Sequence, residues 1–180
     1  MVTRNFIPFP ILTTDRLTLR QLSTTDKQSI FTLRSSPEIN KYLDRQPSKT
    51  IEDAINFINA INNSIKKNDS LYWAITLTNS KTFVGTICLF DFSEEKNTCE
   101  IGYELLTDFQ GQGIMIEAAE KIIDYVFETM KLQKIEAFTH IDSQHSTKLL
   151  ENLGFKKLTD VGTENPDYIS FTLTNSVAVV

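Results

Sequence analysis

The hydrophobic period of this chain changes twice between residues 99 and 141. Residues 99–106 are a strand-like run. From Gly113 the apolar positions become Ile116, Ala119, Ile123, Val126, Phe127 and Met130, spaced for one face of an amphipathic helix of about five turns. Residues 134–141 return to strand character. Strand, helix and strand in immediate succession make a right-handed crossover whose two strands pair in parallel. Every other element must be arranged around that unit.

The preceding segments supply an antiparallel meander. Residues 72–78 and 82–92 are rich in aromatic and β-branched residues, with turns at Asn79-Ser80 and 93–97. Nearer the start, Arg16-Leu17-Thr18-Leu19-Arg20 alternates as a strand does, and Ser23-Thr24-Thr25-Asp26 is a capping signal for a short helix through Ile30, Phe31 and Leu33 that stops before Pro37. Ile51, Ala54, Ile55, Ile58, Ile61 and Ile65 then define one helix face, introduced by Ser48-Lys49-Thr50 and closed by Asn68-Asp69. Late in the chain, Ser146, Leu149, Leu150 and Leu153 mark a short helix with Gly154 at its C-terminus, and 155–158 and 168–173 read as strands. The order is β-α-α-β-β-β-α-β-α-β-β. The fold class is α/β of the α+β kind: a mixed, mostly antiparallel sheet with one parallel pair, flanked by helices. With no linker or repeat, residues 1–180 read as a single domain, its core at 11–173 and a tail at 174–180.

Composition narrows the class without naming a chemistry. The formal net charge is −5, the wrong sign for a general electrostatic nucleic-acid binder. No apolar run approaches the ~20 residues a membrane helix needs, and residues 1–10 lack a basic start followed by a long apolar stretch. Cys88 and Cys99 are too few for a disulfide framework. The expectation is a cytoplasmic protein with neither nucleic acid nor membrane as partner.

The stretch that carries chemistry is Leu105-Leu106-Thr107-Asp108-Phe109-Gln110-Gly111-Gln112-Gly113-Ile114-Met115-Ile116-Glu117-Ala118, a strand end, a glycine-containing turn and a helix start. A helix start leaves about four N–H groups without intrahelical partners and adds positive potential. Glycines at 111 and 113 let an anion approach the backbone, which suits a phosphate or pyrophosphate. At roughly 1.5–3 kcal/mol per charge-assisted bond, three or four amides hold a diphosphate without Lys or Arg. The bland alternative is a turn with two glycines feeding an ordinary helix. G-x-x-x-x-G-K-[ST], H-E-x-x-H and G-x-S-x-G are all absent, and Ile116 stands where a dinucleotide fingerprint has its third glycine. No metal site is readable.

The run Gln110-Gly111-Gln112-Gly113-Ile114 after Glu100-Ile101-Gly102-Tyr103-Glu104-Leu105-Leu106, with Glu117-Ala118 beyond, resembles the acetyl-CoA motif Q/R-x-x-G-x-G/A of the GNAT superfamily of N-acetyltransferases. Thr14-Asp15-Arg16-Leu17-Thr18-Leu19-Arg20, Trp73-Ala74-Ile75, Val84-Gly85-Thr86-Ile87, and Ser146 leading into Leu150-Glu151-Asn152-Leu153-Gly154-Phe155 resemble the ribosomal-protein alanine N-acetyltransferase (RimJ/RimL-like) branch. The resemblance implies the acyl-CoA N-acyltransferase fold, with acetyl-CoA as co-substrate wedged between strands 99–106 and 134–141. It implies cofactor contacts from Leu105, Leu106, Thr107, Gln110, Gly111, Gln112, Gly113, Ile114, Met115, Ile116 and Ser143. Two residues depart from the pattern: Met115 replaces a usual Gly or Ala, so its side chain must point away from the phosphates, and Ser143 replaces a common Asn on the cofactor arm.

The reaction so implied is direct attack of a primary amine on the thioester. The acceptor is a protein N-terminus, a polyamine or another small amine, and a homodimer stays open. Deprotonating an α-amino group at pH 7 costs about 1.4 kcal/mol, against about 4.6 for a Lys side chain. Glu100 and Glu104 lie four apart on one strand face, and Glu100 is the preferred base because the branch it resembles tends to keep an acid at this place. His140 is the second proton-transfer candidate, and Ser146 is the candidate acid or orienting group for the leaving thiolate, because the family's usual tyrosine falls at Leu150. A backbone N–H near Leu106 is the expected oxyanion donor. Trp73, Phe90, Phe92 and Phe109 are candidates for the acceptor pocket. The competing function is a non-catalytic acyl-CoA binder of the same fold.

Overall fold

Leu17 and Leu19 are fully buried while Thr18 and Arg20 are not, the alternation of a half-covered strand, and they lie on β2 (Leu17–Gln21). The computed structural model describes residues 4–158 and 165–176. Before β2 comes the two-residue β1 (Leu12–Thr13). After it, a 3-10 turn (Thr24–Asp26) leads into α1 (Lys27–Ser35), α2 (Pro37–Asn40) and α3 (Ile51–Lys66). The strands β3 (Leu71–Leu77), β4 (Phe83–Ser93) and β5 (Thr98–Leu105) form the meander. Then follow α4 (Ile114–Asp124), β6 (Lys134–His140), α5 (Gln144–Asn152), β7 (Lys156–Lys157) and β8 (Tyr168–Thr174). One eight-stranded sheet runs β1-β2-β3-β4-β5-β6-β8-β7, and only β5 and β6 are parallel.

Helix starts follow local chemistry. The Thr50 hydroxyl accepts the Asp53 N–H at 3.2 Å while the Asp53 carboxylate takes the Thr50 N–H at 2.9 Å, a reciprocal cap for α3. Pro37 opens α2 instead of merely ending α1, because Pro tolerates the first helical position and Ser36 caps it. The expected five-turn helix ends as α at Asp124 and runs on as a π turn (Tyr125–Thr129), with the Met130 N–H reaching back to the Tyr125 carbonyl. The expected strand at 155–158 contracts to two residues. The expected tail begins later than residue 174: Thr174 still pairs with Lys134, and the Asn175 N–H donates to the Gln133 carbonyl at 2.9 Å. Residues 177–180 of that tail lie outside the described residues.

The functional consequence of the topology is a split in the middle of the sheet. β5 and β6 pair over only three positions, Thr98↔Lys134, Cys99↔Ile135 and Glu100↔Glu136. Beyond Glu100, β5 stays with β4 as far as Gly85↔Leu105, and β6 stays with β8 as far as His140↔Tyr168. The two strands diverge, leaving a wedge that opens toward Leu105 on one side and His140 on the other.

Alternation assigns the walls. Glu100, Gly102 and Glu104 share one face, level with Tyr72 and Cys88 across β3 and β4. Tyr72 meets Phe57 of α3 edge-on at 5.6 Å, so α3 covers that face. Tyr103 lies on the other face, level with Ile87 and Trp73. Trp73 is fully buried against Tyr125 at the end of α4, and its Nε1–H donates to the Pro10 carbonyl at 2.7 Å. It is therefore core, which corrects its candidacy for the acceptor pocket.

Candidate active site

Six consecutive amides, those of residues 111–116, have no acceptor among the described residues. The reason is local. Gly111 and Gly113 have φ of 73° and 74°, the left-handed region that glycine enters without penalty, and this turns the chain sharply into α4. The intrahelical series then begins only with the Glu117 N–H on the Gly113 carbonyl at 3.1 Å. A Cβ on Gly111 would meet nothing within 4 Å, so space lies above these donors. Met115 is buried in the core, directed away from that space as its place in the motif requires. Just before this row three amides are spent: Leu106 N–H donates to Val84, Phe109 to Leu106 and Gln110 to Thr107. The Gln110 and Gln112 side-chain amides fold back onto the Leu105 and Asp108 carbonyls at 3.1 and 2.9 Å, bracing the turn.

A second brace was not foreseen from the sequence. The Glu117 carboxylate accepts from the Thr14 hydroxyl at 2.5 Å, the Arg16 N–H at 3.0 Å and the Arg16 Nε at 2.6 Å. Arg16 Nη1 also donates to the Gln112 carbonyl at 3.1 Å. The turn before β2 is thereby tied to the amide loop. Burial pushes the Glu117 carboxyl up, but the bonds from Thr14 and Arg16 outweigh it and hold the group below its ordinary range. Because the folded-state value is depressed, this brace stabilises above about pH 4.5 and is lost as pH falls through the folded value. Glu117→Gln is expected to lower Tm at neutral pH, with the difference from the parent closing below about pH 4.5. Thermal melts across pH 3 to 7 on the order of one-unit steps test this.

On the α3 face, Glu100 stands at the vertex of the wedge, half-buried and unpaired among the described residues. Burial, then the nearby Asp91 and Glu136 carboxylates, push its carboxyl up to about 7. Glu104 shares this face as expected but is ion-paired with Arg45. The bare Gly102 between them leaves room for Cys88 Sγ and the Phe90 ring. The loop at 41–50 spans the wedge here: Arg45 reaches Glu104 on β5, and Tyr42 stacks on His140 of β6 at 5.2 Å and accepts from the Tyr168 hydroxyl at 3.2 Å. His140 Nδ1 accepts the Asp142 N–H at 3.1 Å, and Tyr168 closes edge-on at 5.6 Å.

On the α4–α5 face the Tyr103 and Ser146 hydroxyls are 2.8 Å apart. Ser143 is the N-cap of α5, yet its side chain makes no cap bond. Leu150, one turn past Ser146, is buried and brings no proton. The Leu106 amide is consumed by Val84, whereas strand alternation turns the neighbouring Leu105 N–H away from β4, toward the wedge. Among the described residues no group of three or more His, Cys, Asp or Glu can hold a metal ion. Likewise no described helix is long and apolar enough to cross a membrane.

Comparison with known proteins agrees with this geometry. The family profile described as "Acetyltransferase (GNAT) domain" matches residues 16–156. The chain is 32% identical over 149 residues to the uncharacterized N-acetyltransferase YoaA of Bacillus subtilis (strain 168), covering 83% of this chain and 84% of that one. It is 25% identical over 163 residues to the [ribosomal protein uS5]-alanine N-acetyltransferase of Escherichia coli (strain K12), covering 86% and 82%. The crystal structure of the microcin C7 self-immunity acetyltransferase MccE, in complex with acetyl-CoA and AMP, shares the fold with a TM-score of 0.77 at 20% identity over 90% of this chain and 94% of that one. A sheet split at one parallel pair, with a glycine turn and free amides at its mouth, defines a GNAT acetyltransferase, and the chain belongs to that family. It is an N-acetyltransferase with relatives among the ribosomal-protein alanine N-acetyltransferases.

Proposed function

We propose that this protein, acting as a single cytoplasmic domain, moves the acetyl group of acetyl-CoA directly to a primary amine. The observation that carries the reading is the row of amides at 111–116, unpartnered among the described residues and beside an open wedge. Six such donors at a helix start match a diphosphate. Thr107, Gln110 and Gln112 shape the same loop, and Ser143 sits at the far wall. Bound acetyl-CoA supplies an acyl group activated as a thioester. The chain's own residues do the rest.

Glu100 is the base, facing the acceptor side from the vertex. Its elevated carboxyl pKa brings it near that of an α-amine. Transfer from an α-ammonium near 8 to a carboxylate near 7 is uphill by about 1.4 kcal/mol, but from a Lys-type ammonium near 10.4 by about 4.6. The site therefore favours a peptide N-terminus or another weakly basic amine over a polyamine. The Asp91 carboxylate, close enough to raise Glu100, attracts the ammonium form, while Glu136 is already ion-paired with Lys134 at 2.8 Å. The Leu105 N–H stabilises the developing oxyanion, and Ser146 donates to the departing sulfur from the opposite face. His140 is assigned to the wall, since its Nδ1 and ring are engaged with Asp142, Tyr42 and Tyr168.

Calorimetry with acetyl-CoA, followed by thiol-release assays over α-amino peptides, polyamines and other small amines, tests the proposal. Binding with turnover on an α-amine is the expected result. Binding with no turnover on any amine points to a non-catalytic acyl-CoA binder, and no binding removes both readings.

A further inference from the structure

The Tyr103–Ser146 contact crosses the wedge from β5 to α5 and is the sole bond to either hydroxyl among the described residues. We propose that Tyr103 is a positioning residue that fixes the Ser146 hydroxyl with its proton directed into the wedge, at the sulfur that leaves. The proposal rests on the reading of Ser146 as the sulfur-side donor. A phenol is the stronger acid of the two O–H groups, so Tyr103 donates and Ser146 accepts. That direction uses the serine oxygen's lone pair and leaves its single proton for another acceptor. A helical serine otherwise turns its hydroxyl back to a carbonyl one turn earlier; no such bond forms at Ser146.

Tyr103 is suited to hold rather than to give. Burial pushes its hydroxyl up to about 12, so it stays protonated throughout the working range. Ile101 and Tyr103 share one face of β5, with Tyr103 at the end that meets α5, so alternation puts the Tyr103 side chain on the face opposite Glu100. A proton is thus taken up on one face and supplied on the other, with the acyl carbon between them.

Tyr103→Phe keeps the ring and removes one oxygen. It is expected to lower kcat about tenfold while the KM for acetyl-CoA changes less than about threefold, and Ser146→Ala to do the same or more. The double variant is expected to be no slower than Ser146→Ala alone, because the tyrosine acts only through the serine. Four results overturn the inference. A normal kcat in Tyr103→Phe with a slow Ser146→Ala leaves the serine reading standing and removes Tyr103. A normal kcat in Ser146→Ala removes the serine reading itself. Multiplied losses in the double variant, or a Tyr103→Phe protein that melts lower but turns over normally, make Tyr103 an independent or purely structural group.

Discussion

Gly113→Asp is expected to weaken acetyl-CoA binding by about a hundredfold while leaving the fold intact, and Gly113→Asn is expected to cost about tenfold at most. Gly113 is the N-cap of α4 and has φ of 74°. Asp and Asn are the side chains that best tolerate the left-handed region, and both are favoured helix caps. A Cβ there meets only an Arg16 guanidinium nitrogen, at 3.6 Å. Folding therefore loses little with either residue, and Asp gains a nearby cation. Binding separates them. A carboxylate placed about 4 Å from a phosphate at an effective dielectric constant of about 20 is repelled by about 4 kcal/mol before screening, and salt trims this toward the hundredfold loss. Calorimetry on the two variants, with melting curves alongside, reads the difference. Equal affinity in both would mean that the diphosphate does not sit on this loop.

The comparison of Asp with Asn also shows what in the site was legible from residue types. Gly111 and Gly113 announce a tight turn into a helix, and the period change announces the crossover, so the amide row and the parallel pair could be expected before any coordinates. The same alternation put Glu100 and Glu104 on one face. What alternation does not encode is the partner. Glu104 is ion-paired because Arg45, 59 positions earlier by sequence number, arrives on a loop that spans the wedge. Glu117 stands in the motif with no partner marked by spacing, yet it gathers Thr14 and Arg16 across more than a hundred residues. Nothing in the spacing of β5 marks Tyr103 for a role, since only the arrival of α5 gives its hydroxyl a partner. Backbone donors are less legible still. Of the amides near Leu106, that of Leu106 itself is spent on Val84 while that of Leu105 faces away from β4, a fact of register that side-chain identities do not record.

Local propensity also explains the smaller misreadings of the fold. Pro37 reads as a stop for α1, but the same fixed φ makes it a start for α2 once Ser36 can cap. The apolar positions from Ile116 to Met130 are continuous, so nothing in their spacing reveals that one turn is π.

Glu100→Gln is expected to reduce kcat/KM for an α-amine by about a hundredfold and to move the acid limb of the pH profile upward by about one unit. If Glu100 is the base as proposed, it must be ionised to take the proton, and the parent's rate is expected to fall about tenfold per unit below its value near 7. Glutamine cannot accept that proton, and the residual rate then follows the amine's own ionisation near 8. A stability measurement supplies an independent check. A carboxyl raised in the folded state favours folding most below its unfolded value, about 4.5, and that contribution is lost as pH rises through about 7. Above neutrality the parent carries a half-buried charge near Asp91 and Glu136 that glutamine lacks. The variant should therefore melt higher than the parent at alkaline pH, with the advantage fading below about pH 4.5. A slower enzyme that is also more stable identifies a carboxylate kept for chemistry at a cost to the fold. An active variant with an unmoved acid limb would place the base elsewhere. A variant that is slow but gains no alkaline stability would mean that Glu100 is solvated and only shapes the wall.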